Sequence, residues 1–137
     1  MRIILDSAVF INTDSFPFSK KNEYVMPSAC EEEIKESVAK MRLDAALAQH
    51  DNFTITDPCM GSLQAAQRVA KQHGDNRISR ADEMVLALAL EAKDRKESVR
   101  VYTDDYSLQN LLKWAKIPFE GIQQKGILKR KSFGTKR

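Results

Sequence analysis

Short apolar runs rich in β-branched residues alternate along this chain with longer stretches whose apolar residues recur every three or four positions. Three of the runs lie at residues 3–5, 24–26 and 99–103, and a helical pattern follows each of them. Parallel strands need a crossover, usually a helix, between them, so this alternation is typical of a parallel sheet covered by helices. We therefore expect an α/β fold of three layers, α/β/α, with a central parallel sheet.

The same patterns place the remaining elements. An edge strand is expected at residues 52–57 and a last short strand at 117–119. Helices are expected at residues 61–72, at 107–116 and around the apolar stretch 84–90. Each of these elements is of ordinary length for a compact domain.

A single long helix is predicted from Ser28 to about Gln49. Ser28 and Glu31 fit a capping box, which gives Glu31 a structural role. Glu32 should point to solvent, whereas Glu33 lies at the edge of the buried stripe and is best placed to face a cleft. The apolar residues expected on the buried face are Cys30, Ile34, Val38, Met41 and Ala45.

Length and composition limit what such a chain can do. Its 137 residues suffice for one domain with a substantial core, and it has no run of about 18 apolar residues that could cross a membrane. The N-terminus opens directly into a strand pattern rather than a signal peptide, so we expect a cytoplasmic protein. Cys30 and Cys59 form no C-x-x-C pair, so they cannot supply a zinc ribbon.

The net charge of +3 conceals an uneven distribution. Residues 121–137 hold six of the 22 Lys and Arg residues and no acid, so residues 1–120 carry 16 cations against 19 acids. We therefore divide the chain into a domain of residues 1–120 and a basic C-terminal segment of residues 121–137. Such a segment is either simply solvated or binds nucleic-acid phosphates, and the second role requires a domain that acts on nucleic acid.

Acidic residues occur at four places where the predicted elements end or begin. Asp6 follows the first strand, the pair Asp104 and Asp105 follows a later strand, and Glu33 and Asp82 lie in the first turns of helices. The carboxyl ends of parallel strands meet at one edge of a sheet, and the helices that follow them begin at the same edge. Carboxylates gathered there repel each other unless a cation joins them, and oxygen ligands suit Mg²⁺ or Mn²⁺.

Each acid alone has an ordinary structural explanation. Thr103 or Asp104 fits the N-cap of the following helix, and Ser79 with Asp82 fits a capping pair. Other chemistries of α/β proteins lack their motifs here: there is no G-x-G-x-x-G, no P-loop, and no second Asp two residues after Asp6. The argument therefore depends on the four acidic positions as a set and in this order.

The residues around these acids resemble PIN-domain ribonucleases. Within that family, the chain is most similar to the archaeal relatives of the endonuclease that matures the 3′ end of small-subunit ribosomal RNA. The resemblance covers residues 1 to about 120 and implies the PIN-like three-layer fold. The stretches that carry it are Ile4-Leu-Asp-Ser-Ala-Val-Phe-Ile11, Pro27-Ser-Ala-Cys-Glu-Glu-Glu-Ile34, Ser79-Arg-Ala-Asp82 with Val85-Leu-Ala-Leu88, and Thr103-Asp-Asp-Tyr-Ser-Leu-Gln-Asn110.

The resemblance implies a metal-dependent endoribonuclease that cleaves single-stranded RNA with a metal-activated water and leaves a 5′-phosphate and a 3′-hydroxyl. The catalytic acids that it implies are Asp6, Glu33, Asp82 and Asp105. The implied ligands of Mg²⁺ or Mn²⁺ are Asp6, Asp82 and Asp105, with Asp104 as an auxiliary ligand.

The implied partner is RNA, ribosomal RNA in particular, and the small ribosomal subunit is a further expected partner. The ribosomal RNA endonuclease carries a zinc ribbon after this domain, and no cysteine follows Cys59 here. The chain is therefore either a fragment or a member whose basic segment holds the RNA. Two alternative functions are a toxin-type PIN ribonuclease paired with an antitoxin and a non-catalytic RNA-binding scaffold. The residues expected to contact RNA are Lys125, Lys129, Arg130, Lys131 and Arg80.

Overall fold

A parallel sheet of five strands forms the centre of the computed structural model, which describes residues 1–73 and 78–122. The strands lie in the order β3-β2-β1-β4-β5, and each neighbouring pair is parallel. The predicted three-layer α/β/α fold is confirmed, with the predicted edge strand as β3. The strands are β1 (Arg2–Leu5), β2 (Glu23–Met26), β3 (Phe53–Ile55), β4 (Val99–Tyr102) and β5 (Phe119–Glu120).

Helices connect the strands and cover the sheet. The most deeply buried of them is α5, which packs against β1, β4, α4 and α6. Its apolar sequence from Met84 to Ala89 is buried throughout, as expected for a helix in the middle of a small α/β domain. The helices are α1 (Ala8–Ile11), α2 (Ser28–Glu33), α3 (Ser37–Gln49), α4 (Met60–Gln72), α5 (Arg80–Asp94) and α6 (Tyr106–Trp114).

The order of the strands reverses at β1. From β1 the chain adds β2 and β3 on one side and later returns to add β4 and β5 on the other. The neighbours β1 and β4 run in register, with Ile4 beside Val101 and Leu5 beside Tyr102. Ligands of open α/β sheets bind beyond the carboxyl ends of the strands at such a reversal. Asp6 and Thr103 are the residues that follow these two strand ends.

The predicted single helix from Ser28 to Gln49 is wrong, because the chain breaks between α2 and α3. The backbone of Ile34 is extended, with φ −89° and ψ 91°. The Glu36 carboxylate then accepts hydrogen bonds from the backbone N–H groups of Val38 (3.1 Å) and Ala39 (2.9 Å). A side chain that accepts from these positions caps a new helix, so α3 starts again at Ser37.

The break also changes which face of α3 is buried. Val38 is 49% exposed and Met41 is 69% exposed, although a continuous helix would bury both. The residues that pack inward are instead Ala39, Leu43 and Ala46. These three residues are spaced four and three apart, as on one face of a helix. The position of this buried face is set by the new start of α3 and does not continue the buried face of α2.

The predicted capping box of Ser28 and Glu31 is also wrong. Pro27 occupies the N-cap position of α2, and no side chain caps that end. The backbone N–H and the hydroxyl of Ser28 donate to the Asp57 carboxylate instead, at 2.8 and 2.9 Å. These bonds tie the start of α2 to the loop after β3.

The loop before β2 docks through its aromatic residues. The ring of Phe16 meets the rings of Phe18 and Tyr102 edge-on, each at a centroid distance of 5.1 Å. Phe18 packs against Tyr24 at 4.8 Å and stacks on His50 at 4.4 Å. Phe16 and Phe18 therefore dock this loop on the core.

Among the helices that the structure describes, none is long and apolar enough to cross a membrane. Residues 123–137 lie outside the described part of the chain, so the structure describes Gly121 and Ile122 alone from the basic C-terminal segment. The domain boundary at residue 120 and the RNA-binding role of the segment therefore stay predictions. The segment cations expected to contact RNA are Lys125, Lys129, Arg130 and Lys131.

Candidate active site

Asp6 lies at the centre of the site because β1 ends directly before it. Its backbone N–H donates to the Tyr102 carbonyl at 3.1 Å, which extends the pairing of β1 with β4 by one residue. The side chain is 6% exposed. One carboxylate oxygen, Oδ1, accepts the Ser7 N–H at 2.7 Å, and the other, Oδ2, accepts the Thr103 hydroxyl at 2.8 Å. Burial raises the pKa of Asp6, and these hydrogen bonds oppose the shift.

Thr103 joins two of the predicted acids. It is fully buried, and its hydroxyl donates to Asp6 while accepting the backbone N–H of Asp105 at 3.1 Å. The Asp105 carboxylate in turn accepts the N–H of Leu108 at 2.9 Å and caps α6. The N-cap position expected for Thr103 or Asp104 therefore belongs to Asp105.

Glu33 reaches the same place from α2, of which it is the last residue. The Ser7 hydroxyl donates to Glu33 Oε1 at 2.9 Å and lies 3.4 Å from Asp6 Oδ1. Burial raises the pKa of Glu33, the bond from Ser7 lowers it, and the charges of Asp6 and Asp105 raise it further. Glu32 and Glu33 are both exposed and Glu31 is half-buried, so the bond from Ser7 rather than burial distinguishes Glu33 from its neighbours.

Asp82 approaches from the first turn of α5. Its backbone N–H donates to the hydroxyl of Ser79, the N-cap residue, at 3.1 Å. The predicted capping pair of these two residues therefore forms through the backbone of Asp82, and a hydrogen bond between Ser79 and the Asp82 carboxylate lowers the pKa of that carboxylate. Burial raises the pKa of Asp82 to about 7, and the nearby negative charges of Asp6, Asp105 and Glu33 contribute to that rise.

The charges of four carboxylates from four different parts of the chain thus act on one another's pKa values. We call Asp6, Glu33, Asp82 and Asp105 the acidic cluster. Each of the four is one of the acids predicted to be catalytic, and their roles in catalysis and metal binding stay predictions.

Asp104, the predicted auxiliary ligand, has two hydrogen-bond partners outside the acidic cluster, and its role as a ligand stays a prediction. Its Oδ2 accepts the Asn12 side-chain amide at 2.8 Å, and its Oδ1 accepts the backbone N–H of Ile122 at 2.6 Å. These bonds fasten the end of β4 to the loop after α1 and to the residues after β5. Successive residues of an extended chain point to opposite sides, which explains why Asp104 and Asp105 differ.

Cys30 is a neighbour of the cluster that the sequence analysis assigned only to the core. It is fully buried, and its thiol lies 3.8 Å from Asp6 Oδ1. Ligand atoms of Asp6, Cys30 and Glu33 all lie within 4.8 Å of one another. Burial raises the pKa of the Cys30 thiol, and the charges of Asp6 and Glu33 add to this, so the metal-free site holds a protonated thiol. Its place near the cluster could have been predicted from its position three residues before Glu33, because residues three apart lie on the same side of a helix.

Arg80 is the predicted RNA-contacting residue that the structure describes. It is exposed at the first position of α5, two residues before Asp82. Its contact with RNA stays a prediction.

The donor set of the cluster fits a hard divalent cation. All four members offer carboxylate oxygens, the ligands that Mg²⁺ and Mn²⁺ prefer. Burial and mutual repulsion raise the pKa values of Asp6, Glu33 and Asp82, so the charged forms of these carboxylates are disfavoured. A bound cation would compensate their negative charge.

Comparison with known proteins agrees with the fold and with this site. Residues 3–92 match the model of a family described as the PIN domain of ribonuclease. The chain belongs to the PIN-domain ribonuclease family. The matched range covers most of the chain and contains three members of the acidic cluster: Asp6, Glu33 and Asp82.

Three archaeal relatives carry the name endoribonuclease Nob1. The protein of Methanothermobacter thermautotrophicus is 34% identical over 128 residues, which are 93% of this chain and 72% of that protein. That of Methanocaldococcus jannaschii is 31% identical over 87% of this chain and 55% of its own length. That of Archaeoglobus fulgidus is 33% identical over 70% and 60%. The predicted similarity to an archaeal group of PIN ribonucleases is thus confirmed, and this chain spans between about half and three quarters of each relative.

Proposed function

We propose that this protein is a metal-dependent endoribonuclease that cleaves single-stranded RNA in the maturation of ribosomal RNA. The observation that carries the proposal is the acidic cluster, in which burial and three neighbouring carboxylates raise the pKa of Asp82 to about 7. Gathering like charges in this way destabilises a fold, so a scaffold that only binds RNA has no use for it. Membership of the PIN-domain ribonuclease family and the names of the three relatives support the choice of RNA cleavage.

The residues that would hold Mg²⁺ or Mn²⁺ are the four members of the acidic cluster. When bound, such an ion activates a water molecule for attack on a phosphodiester and stabilises the negative charge that develops on the phosphate oxygens. Asp104 is left outside the proposed ligand set because its two carboxylate oxygens bond Asn12 and Ile122, whereas those of Asp6 bond Ser7 and Thr103 within the site.

The chain's own residues prepare the site for that chemistry. Thr103 and Ser7 donate hydrogen bonds to Asp6, so its carboxylate is oriented before any ion arrives. Ser7 also holds Glu33 at the open side of the cluster. Because these donors come from β1, β4 and their following turns, the sheet itself fixes the relative positions of the acids.

Substrate selection is proposed from the family resemblance together with charge. An anionic phosphodiester can approach an acidic site only when cations accompany it, and Arg80 beside the site would contact the RNA backbone. The basic C-terminal segment would supply the remaining contacts to phosphates. The small ribosomal subunit is the partner that a role in ribosomal RNA maturation requires.

The test is cleavage of single-stranded RNA by the full chain in Mn²⁺, repeated after addition of EDTA. We expect cleavage with Mn²⁺, no cleavage with EDTA, and products that carry a 5′-phosphate and a 3′-hydroxyl. Glu33→Gln should abolish cleavage, while the control Glu31→Gln, on the same helix two residues earlier, should preserve it. Cleavage that survives chelation, or that is lost in Glu31→Gln and kept in Glu33→Gln, would overturn the proposal.

A further inference from the structure

An open pocket of about 290 Å³ lies between α3 and the loop that follows α1. None of the acidic cluster lines it, and the proposed cleavage chemistry does not use it. Its volume is at the lower limit of ordinary small-molecule sites, which suits a single small group rather than a large ligand. Its lining includes Phe10, Phe16, Phe18, Arg42, Gln49 and His50.

Aromatic rings form one wall of the pocket. Phe18 and His50 stack with their centroids 4.4 Å apart and their planes at 22°, and Phe16 meets Phe18 edge-on. All three are half-buried, so the rings that anchor the loop also present surface to the pocket. Flat aromatic surface of this kind is what proteins use to stack the unpaired bases of single-stranded nucleic acid.

A guanidinium group lies beside that wall. Arg42 Nη1 donates to the carbonyl of Phe10 at 2.9 Å, at the end of α1. Within the described part of the chain, Arg42 makes no ion pair with a carboxylate, so its other N–H groups can serve a ligand. Asp14 also lines the pocket, so the lining carries one cation and one anion.

The pocket lies one short helix away from the acidic cluster. Its lining residues Val9 and Phe10 belong to α1, which starts two residues after Asp6. The aromatic wall lies toward the opposite edge of the sheet from the cluster, because His50 comes just before β3, whereas Asp6 directly follows β1. The Ser7 carbonyl accepts the N–H of Phe10 at 3.0 Å, and this bond joins the turn after Asp6 to a lining residue of the pocket.

We propose that this pocket binds one unpaired nucleotide of the RNA, away from the nucleotide whose phosphate is cleaved. The base stacks against the Phe18 and His50 wall, the side chains of Gln49 and Ser15 bond its edge, and Arg42 binds a phosphate. A base that is paired in a duplex cannot enter, so the pocket selects single-stranded RNA. This inference rests on the proposed function for the identity of its ligand.

The experiment uses the full chain with the substitution Asp6→Asn, so that the RNA stays intact. The probe is a single-stranded RNA oligonucleotide in which one uridine is replaced by 4-thiouridine, and its duplex serves for comparison. Two variants target the pocket: Ala45→Trp fills it from an exposed position of α3, and Arg42→Gln removes its cation. Arg68→Gln, at an exposed position of α4, is the matched loss of one cation elsewhere.

We expect the crosslink to fall within residues 13–18 or 42–50 and the duplex to crosslink weakly. Both pocket variants should weaken binding of the single strand by about tenfold, since stacking of one base is worth about 1–3 kcal/mol. Arg68→Gln should bind like its parent. Thermal melting of each variant separates a lost contact from a lost fold, and Ala45→Trp leaves the core untouched.

A crosslink outside both segments would overturn the inference, whatever the affinities. Unchanged binding by a folded Ala45→Trp variant would overturn it as well. If the unsubstituted chain cleaves RNA in Mn²⁺ and the crosslink lies elsewhere, the pocket inference fails alone. If the crosslink lies in the pocket and no cleavage occurs in Mn²⁺, the proposed function fails and the pocket stands.

Discussion

The hydroxyl of Ser7 donates to the carboxylate of Glu33 at 2.9 Å and joins the first turn after β1 to the last residue of α2. The same hydroxyl lies 3.4 Å from Asp6 Oδ1, so one side chain holds two members of the acidic cluster. Hydrogen-bond donors behind metal ligands orient those ligands and are usually needed for full affinity. Ser7 is therefore expected to act on metal binding through Glu33 and Asp6.

Ser7→Ala should weaken binding of Mn²⁺ by about tenfold, the usual cost of losing such a donor. The loss of one hydrogen bond should change the free energy of unfolding by only about 1 kcal/mol. Ser28→Ala is the matched control, because the Ser28 hydroxyl also donates to a carboxylate, that of Asp57, away from the cluster. A calorimetric titration with Mn²⁺ measures both variants, and equal affinities would contradict the role given to Ser7.

Asp82 should make the metal-free protein less stable as the pH rises. The unfolded chain releases this proton near the ordinary value of 3.8, whereas the folded protein keeps it up to about pH 7. The folded state thus holds the extra proton between these values, and the free energy of unfolding falls as the pH increases through that window. The raised pKa values of Asp6 and Glu33 act in the same direction.

Asp82→Asn should reduce this slope and stabilise the metal-free protein at about pH 8 by on the order of 1–2 kcal/mol, a value discounted for partial solvation. Urea denaturation in EDTA across the pH range measures it, with Asp94→Asn at the far end of α5 as the control. Stability that increases between about pH 4 and pH 7 would show that the carboxylates are not crowded as described.

Neighbouring Asp104 and Asp105 should behave differently when each is changed to Asn. Asp105→Asn keeps a good N-cap for α6 but removes a charge from the cluster, so Mn²⁺ binding and cleavage should fall sharply while the fold stays intact. Asp104→Asn disturbs the bonds to Asn12 and Ile122, so it should cost about 1 kcal/mol of stability and leave Mn²⁺ affinity within a few-fold. Loss of Mn²⁺ binding in Asp104→Asn as severe as in Asp105→Asn would make Asp104 a ligand after all.

Most of the fold could be predicted from local patterns, because strands and amphipathic helices each leave a periodic signal. The break at Ile34 could not, since the stretch has neither Gly nor Pro and depends on the Glu36 side chain capping a new helix. A glutamate is an uncommon N-cap, so the sequence alone favours a continuous helix. The predicted continuous helix therefore placed Val38 and Met41 on the buried face and Glu33 inside the helix. In the structure both apolar residues are exposed and Glu33 is the last residue of α2.

Three acids of the site have the places in the pattern that were expected, since Asp6 and Asp105 follow strands and Asp82 lies in the first turn of a helix, whereas Glu33, expected in a first turn, is instead the last residue of α2. Which oxygen meets which partner was not predictable, since such contacts join residues far apart in the chain. Cys30 illustrates this limit: its helical position marks it as buried, but its contact with Asp6 arises only because α2 lies against the end of β1. Asp104 shows the converse, because its partners Asn12 and Ile122 carry no signal in the sequence.

The basic C-terminal segment should contribute to RNA binding through its charge. Residues 129–137, which lie outside the described part of the chain, contain five of the six cations of that segment. Deleting them should weaken RNA binding and make log K less steep against log salt by up to about three units, since each single-strand phosphate contact contributes about 0.7. Fluorescence anisotropy at several salt concentrations measures this slope, and an unchanged slope would mean that the segment is merely solvated.

In the proposed function, Asp6 and the other acids of the cluster hold the metal ion on which RNA cleavage depends. The most direct test compares Mn²⁺-dependent cleavage of single-stranded RNA by the unsubstituted chain and by Asp6→Asn, after circular dichroism shows that both are folded. Asp6 lies within hydrogen-bonding distance of Ser7 and Thr103 and raises the pKa of Asp82, so its charge acts at the centre of the cluster. We predict that Asp6→Asn removes nearly all cleavage. Cleavage by Asp6→Asn at the rate of the unsubstituted chain would contradict the metal site proposed here.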